Sequence, residues 1–289
     1  MGDSSVPVPG GRVWLITGAS SGFGRAIAQA AIECGDRVVA TARRVDALDD
    51  LVAAGEGRLI ALQLDVTDSA RIGEVVDSAI EAFGSIDVLV NNAGYGQVGA
   101  VEETTAEELR QIMDVHFFGP AELVRAVLPK MRQNRRGAIV QMSSFGGQLS
   151  IAGFSAYSAT KFALEGFSEA LAEEVAPFGI DVLIVEPGAF RTSFSGGSLQ
   201  ESARMAVYEE TVGATRTMIK GIDGTQPGDP ALAAAAIIHA LEADETPLRL
   251  PLGDDAVDAL SAHLDFVREE LVAWEQVSRG VNFPQVEPA

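Results

Sequence analysis

The chain has 289 residues, a hydrophobic content of 47% and a formal net charge of -20. This charge repels phosphate backbones and anionic lipid headgroups, so we expect no nucleic-acid or membrane-surface partner. A single cysteine, Cys34, excludes an intrachain disulfide, and the histidines are too far apart in sequence for a zinc site, so we expect no metal. The first residues lack the basic and apolar regions of a signal peptide, and no apolar run reaches membrane-spanning length. We therefore expect a cytoplasmic protein.

Strand and helix patterns alternate along the chain after a tail, residues 1–11, that we predict to be flexible. Apolar runs predict strands at Val13–Ile16, Arg37–Ala42, Arg58–Leu64, Ile86–Val90, Gly137–Met142, Ile180–Val185 and Pro247–Leu250. Helical periodicity predicts helices at Arg25–Cys34, Val45–Ala54, Asp68–Phe83, Ala106–Met131, Tyr157–Ala176, Pro230–Leu241 and Ala256–Val277. We expect Cys34 to be a small buried side chain of the first helix. The Gly-, Ser- and Thr-rich residues 193–222 predict either a small helical substrate lid or a long surface excursion.

This alternation predicts the fold class. Apolar strands separated by helices favour right-handed βαβ units around a parallel sheet that is covered on both faces. No linker divides the chain into independent halves. We therefore predict an α/β protein with one doubly wound Rossmann domain over residues 1–289, built on a parallel seven-stranded sheet with helices on both faces.

A glycine-rich turn separates the first predicted strand from the first helix. The segment VWLITGASSGFGRAIAQ places Gly18, Gly22 and Gly24 there. A pyrophosphate needs close backbone approach and the free N–H groups of a helix N-terminus, which side chains at these positions would obstruct. Tight turns also favour glycine for conformational reasons alone. The strand–turn–helix context nevertheless predicts a dinucleotide site.

The end of the second predicted strand bears on which dinucleotide is bound. An NAD site usually has an acidic residue there, whereas this chain has Arg43 and Arg44. Guanidinium groups bind a 2′-phosphate through charge-assisted hydrogen bonds. The sequence thus predicts NADP, with NAD the less favoured cofactor. The alternative is two solvated arginines that open the next helix.

Tyr157 and Lys161 are one helical turn apart and share a helix face. A lysine cation beside a phenol, together with a nicotinamide charge, favours the phenolate, which makes Tyr157 a candidate general acid/base. Ser144 follows a predicted strand and can hydrogen-bond a substrate oxygen. A Tyr-x-x-x-Lys pair alone is common by chance, and Ser144 together with the glycine turn makes chance the weaker explanation.

Several motifs in order make the chain resemble the short-chain dehydrogenase/reductase family, in its single-domain branch. They are TGASSGFG, Asn91-Asn92-Ala93-Gly94 after the fourth strand, the Ser144, Tyr157 and Lys161 spacing, and Pro187-Gly188 with Thr192 after the sixth strand. The resemblance covers residues 12–192. It implies an NAD(P)-dependent enzyme acting on CH–OH and C=O groups. In such an enzyme Ser144 holds the carbonyl oxygen, Tyr157 donates the proton, and Lys161 binds the ribose and lowers the pKa of Tyr157.

The resemblance also implies a set of cofactor contacts. These are Gly18, Ser20, Ser21, Gly22, Phe23, Gly24, Asp65, Val66, Asn92, Ala93, Gly94, Tyr157, Lys161, Pro187, Gly188 and Thr192, with Asn91 beside them on the cofactor floor. Three of these assignments have simpler alternatives. Asp65 could cap a turn, Thr192 could cap a helix in the lid, and Asn91 and Gly94 could merely end a strand.

One position departs from the family pattern. The family usually has an asparagine within the long fourth helix, where it holds a proton-relaying water, but this chain has His116 in MDVHFFG. His116 could hold a water or carry a proton itself. It could equally be a packed helix residue without a catalytic role.

The predicted substrate pocket is apolar and aromatic. Its candidate residues, which follow the motif strands, are Tyr95, Gln97, Phe145, Gln148, Leu149, Phe154, Phe190 and Phe194. Such a lining favours a bulky hydrophobic ketone or secondary alcohol, as a small-molecule substrate, over a sugar or an acid. Each of these residues taken singly could be an ordinary core residue.

Two other functions stay open. A β-ketoacyl-carrier-protein reductase would need a basic docking site, and the dense basic cluster in this acidic chain is Arg132, Arg135 and Arg136. A non-catalytic NADP(H)-binding sensor would bind the cofactor without turnover. The family resemblance further implies a homodimer or homotetramer that pairs the helices 106–131 and 157–176.

Overall fold

The computed structural model describes residues 11–283 and confirms the predicted parallel sheet. Its seven strands are β1 (Val13–Ile16), β2 (Arg37–Ala42), β3 (Leu59–Gln63), β4 (Val88–Asn91), β6 (Gly137–Met142), β7 (Ile180–Pro187) and β9 (Arg249–Leu252). Two short strands, β5 (Gly96–Val98) and β8 (Leu199–Glu201), form a separate parallel pair that the sequence did not predict. The main sheet has the order β3-β2-β1-β4-β6-β7-β9, and every neighbouring pair is parallel. The winding reverses between β1 and β4, where a doubly wound sheet opens a crevice at its carboxyl ends.

Helices cover both faces of the sheet, as predicted. They are α1 (Gly22–Glu33), α2 (Asp49–Ala54), α3 (Ser69–Phe83), α4 (Ala106–Met113), α5 (Gly119–Asn134), α6 (Ser155–Val175), α7 (Ala214–Gly221), α8 (Pro230–Leu241) and α9 (Asp254–Arg279). One apolar core joins the sheet to α1, α2 and α8, through residues such as Ile27 and Ile237. The second core joins the opposite face to α3, α5 and α6, through residues such as Val75 and Leu123.

The predicted helix 106–131 is interrupted rather than continuous. Residues Asp114–Phe118 form a wider, π-helical turn between α4 and α5, in which the Gly119 N–H donates to the carbonyl of Asp114, five residues back. Pro120 has no N–H to donate to the carbonyl of His116, four residues before it, so one regular helical hydrogen bond is missing at this point. The turn lies beside the crevice and carries His116.

Residues 193–222 fold over the carboxyl end of the sheet. They contain β8, three short helical turns and α7, and β8 pairs with β5 in parallel. An ion pair between Arg216 and Glu103, 2.8 Å long and buried on both sides, ties α7 to the loop before α4. This segment is therefore anchored to the body of the protein by backbone pairing and by buried charge.

The prediction for Cys34 was wrong: its side chain is exposed, because α1 ends at Glu33 and Cys34 lies in the turn that follows. The predicted tail, residues 1–11, lies outside the described residues apart from Gly11.

Within residues 11–283, no helix combines the length and apolar character needed to cross a bilayer, and no cluster of His, Cys, Asp and Glu has the composition of a metal site.

Candidate active site

A cavity of about 1250 Å³ opens at the carboxyl ends of the strands. It exceeds the roughly 300–1,000 Å³ of ordinary small-molecule sites, so it has room for a dinucleotide together with a second molecule. The structure brings most of the predicted site residues to its wall. They are Gly18, Ser20, Ser21, Gly22, Phe23, Arg43, Arg44, Asp65, Val66, Asn92, Ala93, Gly94, Tyr95, His116, Ser144, Phe145, Leu149, Phe154, Tyr157, Lys161, Pro187, Gly188, Phe190, Thr192 and Phe194.

The glycine turn between β1 and α1 has the features that a phosphate group requires. Gly18 and Gly22 have φ angles of +64° and +54°, a conformation that side chains disfavour. A Cβ on Gly24 would lie 2.6 Å from the Gly18 carbonyl oxygen, so Gly24 allows the turn to close but does not itself line the cavity. Ser21 makes no side-chain cap at the start of α1, and the first turn of that helix has no acidic residue. The α1 N-terminus therefore offers backbone N–H groups and no opposing charge, which fits a pyrophosphate.

The end of β2 places two exposed arginines at the cavity wall. Arg43 and Arg44 both line the cavity, and neither forms an ion pair with any side chain in residues 11–283. Asp65 lies at the cavity edge, and its Oδ1 accepts hydrogen bonds from the Thr67 backbone N–H and hydroxyl at 3.0 and 2.8 Å. Asp65 thus caps a turn, which leaves its other carboxylate oxygen for further contacts.

Ser144, Tyr157 and Lys161 meet deep in the same cavity. Ser144 follows β6, its Oγ accepts the Gly146 N–H at 3.0 Å, and its hydroxyl lies near enough to the Tyr157 phenol to lower the pKa of that phenol. Tyr157 and Lys161 are buried on the first two turns of α6. Lys161 Nζ lies 5.7 Å from the centroid of the Tyr157 ring and donates to the Met142 carbonyl at 2.8 Å. The fold thus unites three side chains from two separate elements.

Burial is the largest cause of the pKa shifts of Tyr157 and Lys161. It raises the pKa of Tyr157 to about 12, with the Ser144 hydrogen bond acting in the opposite direction. It lowers the pKa of Lys161 to about 8, with the negative charge of Glu165 acting in the opposite direction. The predicted lowering of the Tyr157 pKa by the neighbouring lysine is therefore absent in the protein alone. The free-energy cost of removing the phenolate from water exceeds the stabilisation that the nearby lysine cation provides.

His116 is fully enclosed and both of its ring nitrogens have partners. Nε2 accepts the Tyr95 backbone N–H at 3.0 Å, and Nδ1 lies 3.0 Å from the Thr160 hydroxyl oxygen. The Thr160 hydroxyl donates to the Tyr157 carbonyl at 2.7 Å, so Nδ1 must be the donor to Thr160. Burial, with the charge of Lys161 as a lesser cause, holds the pKa of His116 well below its usual value. The ring is therefore a neutral link between the loop after β4 and helix α6.

A layer of charged residues that the sequence did not reveal lies behind Lys161. Glu165 on α6 accepts the Ser143 hydroxyl at 2.6 Å and pairs with Arg249 of β9 at 3.1 Å. Glu186 at the end of β7 lies 3.4 Å from the same guanidinium and accepts a hydrogen bond from Gln148. Burial raises the pKa of Glu186 to about 7. A spacing of one turn after Lys161 was the only sequence signal for Glu165, and surface glutamates share it.

Three other predicted residues do not reach the cavity. Gln97 is buried beneath the segment 193–222, where it donates to the Ser202 hydroxyl at 2.8 Å. Gln148 turns toward Glu186, as described above. Asn91 is buried within the sheet and donates to the side-chain carbonyl of Gln141 at 3.0 Å. In each case an amide that is buried or half-buried takes a polar partner that lies away from the cavity.

The part of the cavity next to Tyr157 is aromatic. The rings of Phe154 and Phe194 have centroids 5.7 and 5.5 Å from that of Tyr157. Apolar residues of α7 and the turn after it, Met218, Ile219 and Ile222, also line the cavity and were missed in the sequence. Asp255, at the start of α9, was missed as well: it lines the cavity and accepts the Ala189 N–H at 2.7 Å. Their positions far along the chain carried no local motif.

Comparison with known proteins places this geometry in a family. The family model described as short chain dehydrogenase matches residues 12–203. An oxidoreductase named BOA17 from Botryotinia fuckeliana is 39% identical over 268 residues, which cover 92% of this chain and 98% of that protein. A 3-ketodihydrosphingosine reductase from Bacteroides thetaiotaomicron is 46% identical over 184 residues, covering 64% of this chain and 66% of the relative.

Solved structures agree with this placement. A short-chain dehydrogenase from Streptomyces avermitilis is 61% identical with a TM-score of 0.91, and the match covers 94% of this chain and 100% of the other. An alcohol dehydrogenase from Thermococcus sibiricus, in complex with 5-hydroxy-NADP, is 26% identical with a TM-score of 0.69, covering 83% and 95% of the two chains. A Burkholderia phymatum family member in complex with NAD shares the fold at 24% identity and a TM-score of 0.79, covering 96% and 98%. The family match, the shared fold and the relatives' names together show that this chain is an oxidoreductase of the short-chain dehydrogenase family.

Proposed function

We propose that the protein is an NADP-preferring oxidoreductase that interconverts a hydrophobic ketone and the corresponding secondary alcohol. The observation that carries this proposal is the meeting of Ser144, Tyr157 and Lys161 in one cavity with the glycine turn of α1. Two of the solved structures named above hold NAD or 5-hydroxy-NADP, which supports a nicotinamide cofactor here. The bound cofactor would supply a hydride to the carbonyl carbon, or accept one from the alcohol.

The chain's own residues would handle the oxygen and the proton. Ser144 donates a hydrogen bond to the carbonyl oxygen, and Tyr157 transfers its phenolic proton to that oxygen as negative charge develops there. A pKa of about 12 keeps Tyr157 protonated at neutral pH, which suits the reduction direction. In oxidation the phenolate must form first, and the positive charges of Lys161 and of an oxidised nicotinamide both favour it.

The cofactor would lie along the turn and the strand ends. The proposed contacts are the N–H groups at the start of α1, the loop Asn92–Gly94, Lys161 for the ribose hydroxyls, and Thr192 for the carboxamide. Arg43 and Arg44 support a 2′-phosphate, because both are exposed at the cavity wall without an ion-pair partner within residues 11–283. A phosphate at this place would receive charge-assisted hydrogen bonds.

The proposed substrate class rests on the apolar part of the cavity wall next to Tyr157. Phe154, Phe194, Met218, Ile219 and Ile222 present apolar surface, and a substrate that buries it gains about 25 cal/mol per Å². The relative named for reduction of 3-ketodihydrosphingosine supports a ketone with a long apolar chain.

We also propose the homodimer or homotetramer that the family resemblance implies. The half-exposed Phe118 and Phe162, from the turn before α5 and from α6, support a contact there.

The decisive experiment is a turnover assay with NADPH and NADH against ketones of increasing apolar chain length. We expect NADPH oxidation that depends on the ketone and is abolished by Tyr157→Phe, while Tyr95→Phe, which removes a phenol from the same cavity, retains it. Binding of NADPH without turnover of any ketone, unchanged in Tyr157→Phe, would instead identify a sensor.

The carrier-protein reductase is less well supported. Its acidic partner would need free basic side chains, but Arg136 pairs with Asp87 at 3.0 Å and Arg135 donates to the Pro177 carbonyl at 2.8 Å. A preference for carrier-bound over free ketones in the same assay would revive it.

A further inference from the structure

The C-terminal helix α9 leaves the body of the protein soon after it begins. It spans 26 residues, and its buried residues are Ala256 and Leu260, both in the first two turns. The part beyond Leu260 runs on for roughly 28 Å. No residue between 11 and 283 covers that part, although it carries several large apolar side chains. Exposed apolar surface of this extent marks an interaction site.

The apolar residues of this helix follow a heptad spacing. Val257, Leu260, Leu264, Val267, Leu271 and Trp274 are separated alternately by three and four residues, and we refer to them as the α9 seam. Apart from Leu260, their exposed fractions lie between 45% and 66%. A repeat of 3.5 residues is the period at which two helices keep the same faces together along their length. The seam therefore fits another helix better than a flat surface or a lipid layer.

Charges beside the seam favour a second copy of α9 in the antiparallel direction. Arg268 and Glu275 each follow a seam residue by one position, on the same flank. In an antiparallel pair these flanks face each other, so Arg268 of each copy meets Glu275 of the other in the register that sets Leu271 opposite Trp274. In a parallel pair Glu270 would instead face Glu275, which is repulsive.

Within residues 11–283, Arg268 forms no ion pair, and Glu275 pairs only with the exposed Arg279 of its own helix at 2.7 Å. The chain's net charge of -20 and the acidic residues of α9 oppose an anionic membrane as the alternative partner. We propose that two copies of this protein associate through their α9 seams as an antiparallel two-helix coiled coil. This inference does not depend on the proposed enzymatic function.

The test compares two neighbouring substitutions in the full-length protein. Leu271→Glu places a charge in the seam, whereas Val272→Glu places the same charge one residue away, off the seam, at nearly equal exposure (66% and 64%). We expect sedimentation equilibrium to show that Leu271→Glu halves the mass of the assembly and raises its dissociation constant at least about 100-fold. Val272→Glu should retain the wild-type mass, and circular dichroism melts should show that both variants stay folded. A monomeric wild type at micromolar concentration, an unchanged mass in Leu271→Glu, or equal losses in both variants would overturn the proposal.

A charge exchange tests the direction of pairing. In the antiparallel arrangement Glu275→Arg places two arginines together at each end of the contact and weakens association several-fold, and adding Arg268→Glu restores it. If Glu275→Arg alone strengthens association, it relieves a Glu270–Glu275 repulsion, and the helices pair in parallel. Absence of rescue by the double variant would likewise contradict the antiparallel contact.

Discussion

Replacement of His116 tests whether this residue acts as a rigid neutral link or as a proton carrier. In the structure its Nε2 accepts the Tyr95 N–H and its Nδ1 donates to Thr160, which in turn holds the carbonyl of Tyr157. His116→Ala leaves the Tyr95 N–H without an acceptor, at about 1–3 kcal/mol, removes the hydrogen bond that the Thr160 oxygen accepts, and opens a cavity beside the Tyr157 ring. We expect the free energy of unfolding to fall by about 4 kcal/mol, which lowers Tm by about 10 °C.

His116→Asn separates positioning from proton transfer. Asparagine can accept one hydrogen bond in the same place, so we expect about half of the stability loss and a kcat/KM between those of the wild type and His116→Ala. Because the histidine stays neutral throughout the neutral range, the acid side of the pH profile should have the same apparent pKa in the wild type and in His116→Asn.

The matched control is His239→Ala, which removes an exposed histidine from α8 and should change neither Tm nor activity. Melting curves and kcat/KM between pH 5 and 9 provide the measurements. If the wild type shows an acid limb near the ordinary histidine pKa of about 6.5 that His116→Asn abolishes, His116 ionises during turnover and the positioning account is refuted.

Three further outcomes follow from the site. Substitution of both Arg43 and Arg44 by serine should raise KM for NADPH about 10- to 100-fold, because one or two charge-assisted hydrogen bonds are lost. The KM for NADH should stay nearly unchanged. Equal losses for both cofactors would argue against a 2′-phosphate contact. Because burial raises the pKa of Tyr157, kcat/KM for alcohol oxidation should rise by about tenfold per pH unit from pH 6 until the phenol ionises, and a flat profile would remove Tyr157 as the base. Arg216→Met removes the ion-pair partner of the buried Glu103 carboxylate and should lower the free energy of unfolding in urea by about 3–5 kcal/mol. Arg204→Met, at an exposed ion pair, should lower it by less than about 1 kcal/mol. Similar losses in the two variants would show that the buried pair does not anchor the segment 193–222.

Much of the cofactor end was predictable because its signals are local. The glycine turn, the Tyr-x-x-x-Lys spacing and the alternation of strands with helices each depend on residues within a few turns of one another. The strand and helix positions followed from periodicity, with small errors at their ends. The first helix begins at Gly22, three residues earlier than predicted, because glycine obscures the periodic pattern without preventing a first helical turn.

Hydrogen-bond partners and burial were decided only by the tertiary structure. Gln97 and Gln148 follow the predicted strands as cavity residues would, yet each turns to a buried polar partner that is distant in sequence. The same holds for His116, whose link to Thr160 joins segments that share no local pattern. The seam of α9 was recognised in the sequence only as an amphipathic helix, since a helix packed on its own core has similar spacing. Local patterns specify which face of an element is apolar, but only the packing of distant segments decides whether that face is covered, and what each buried polar group binds.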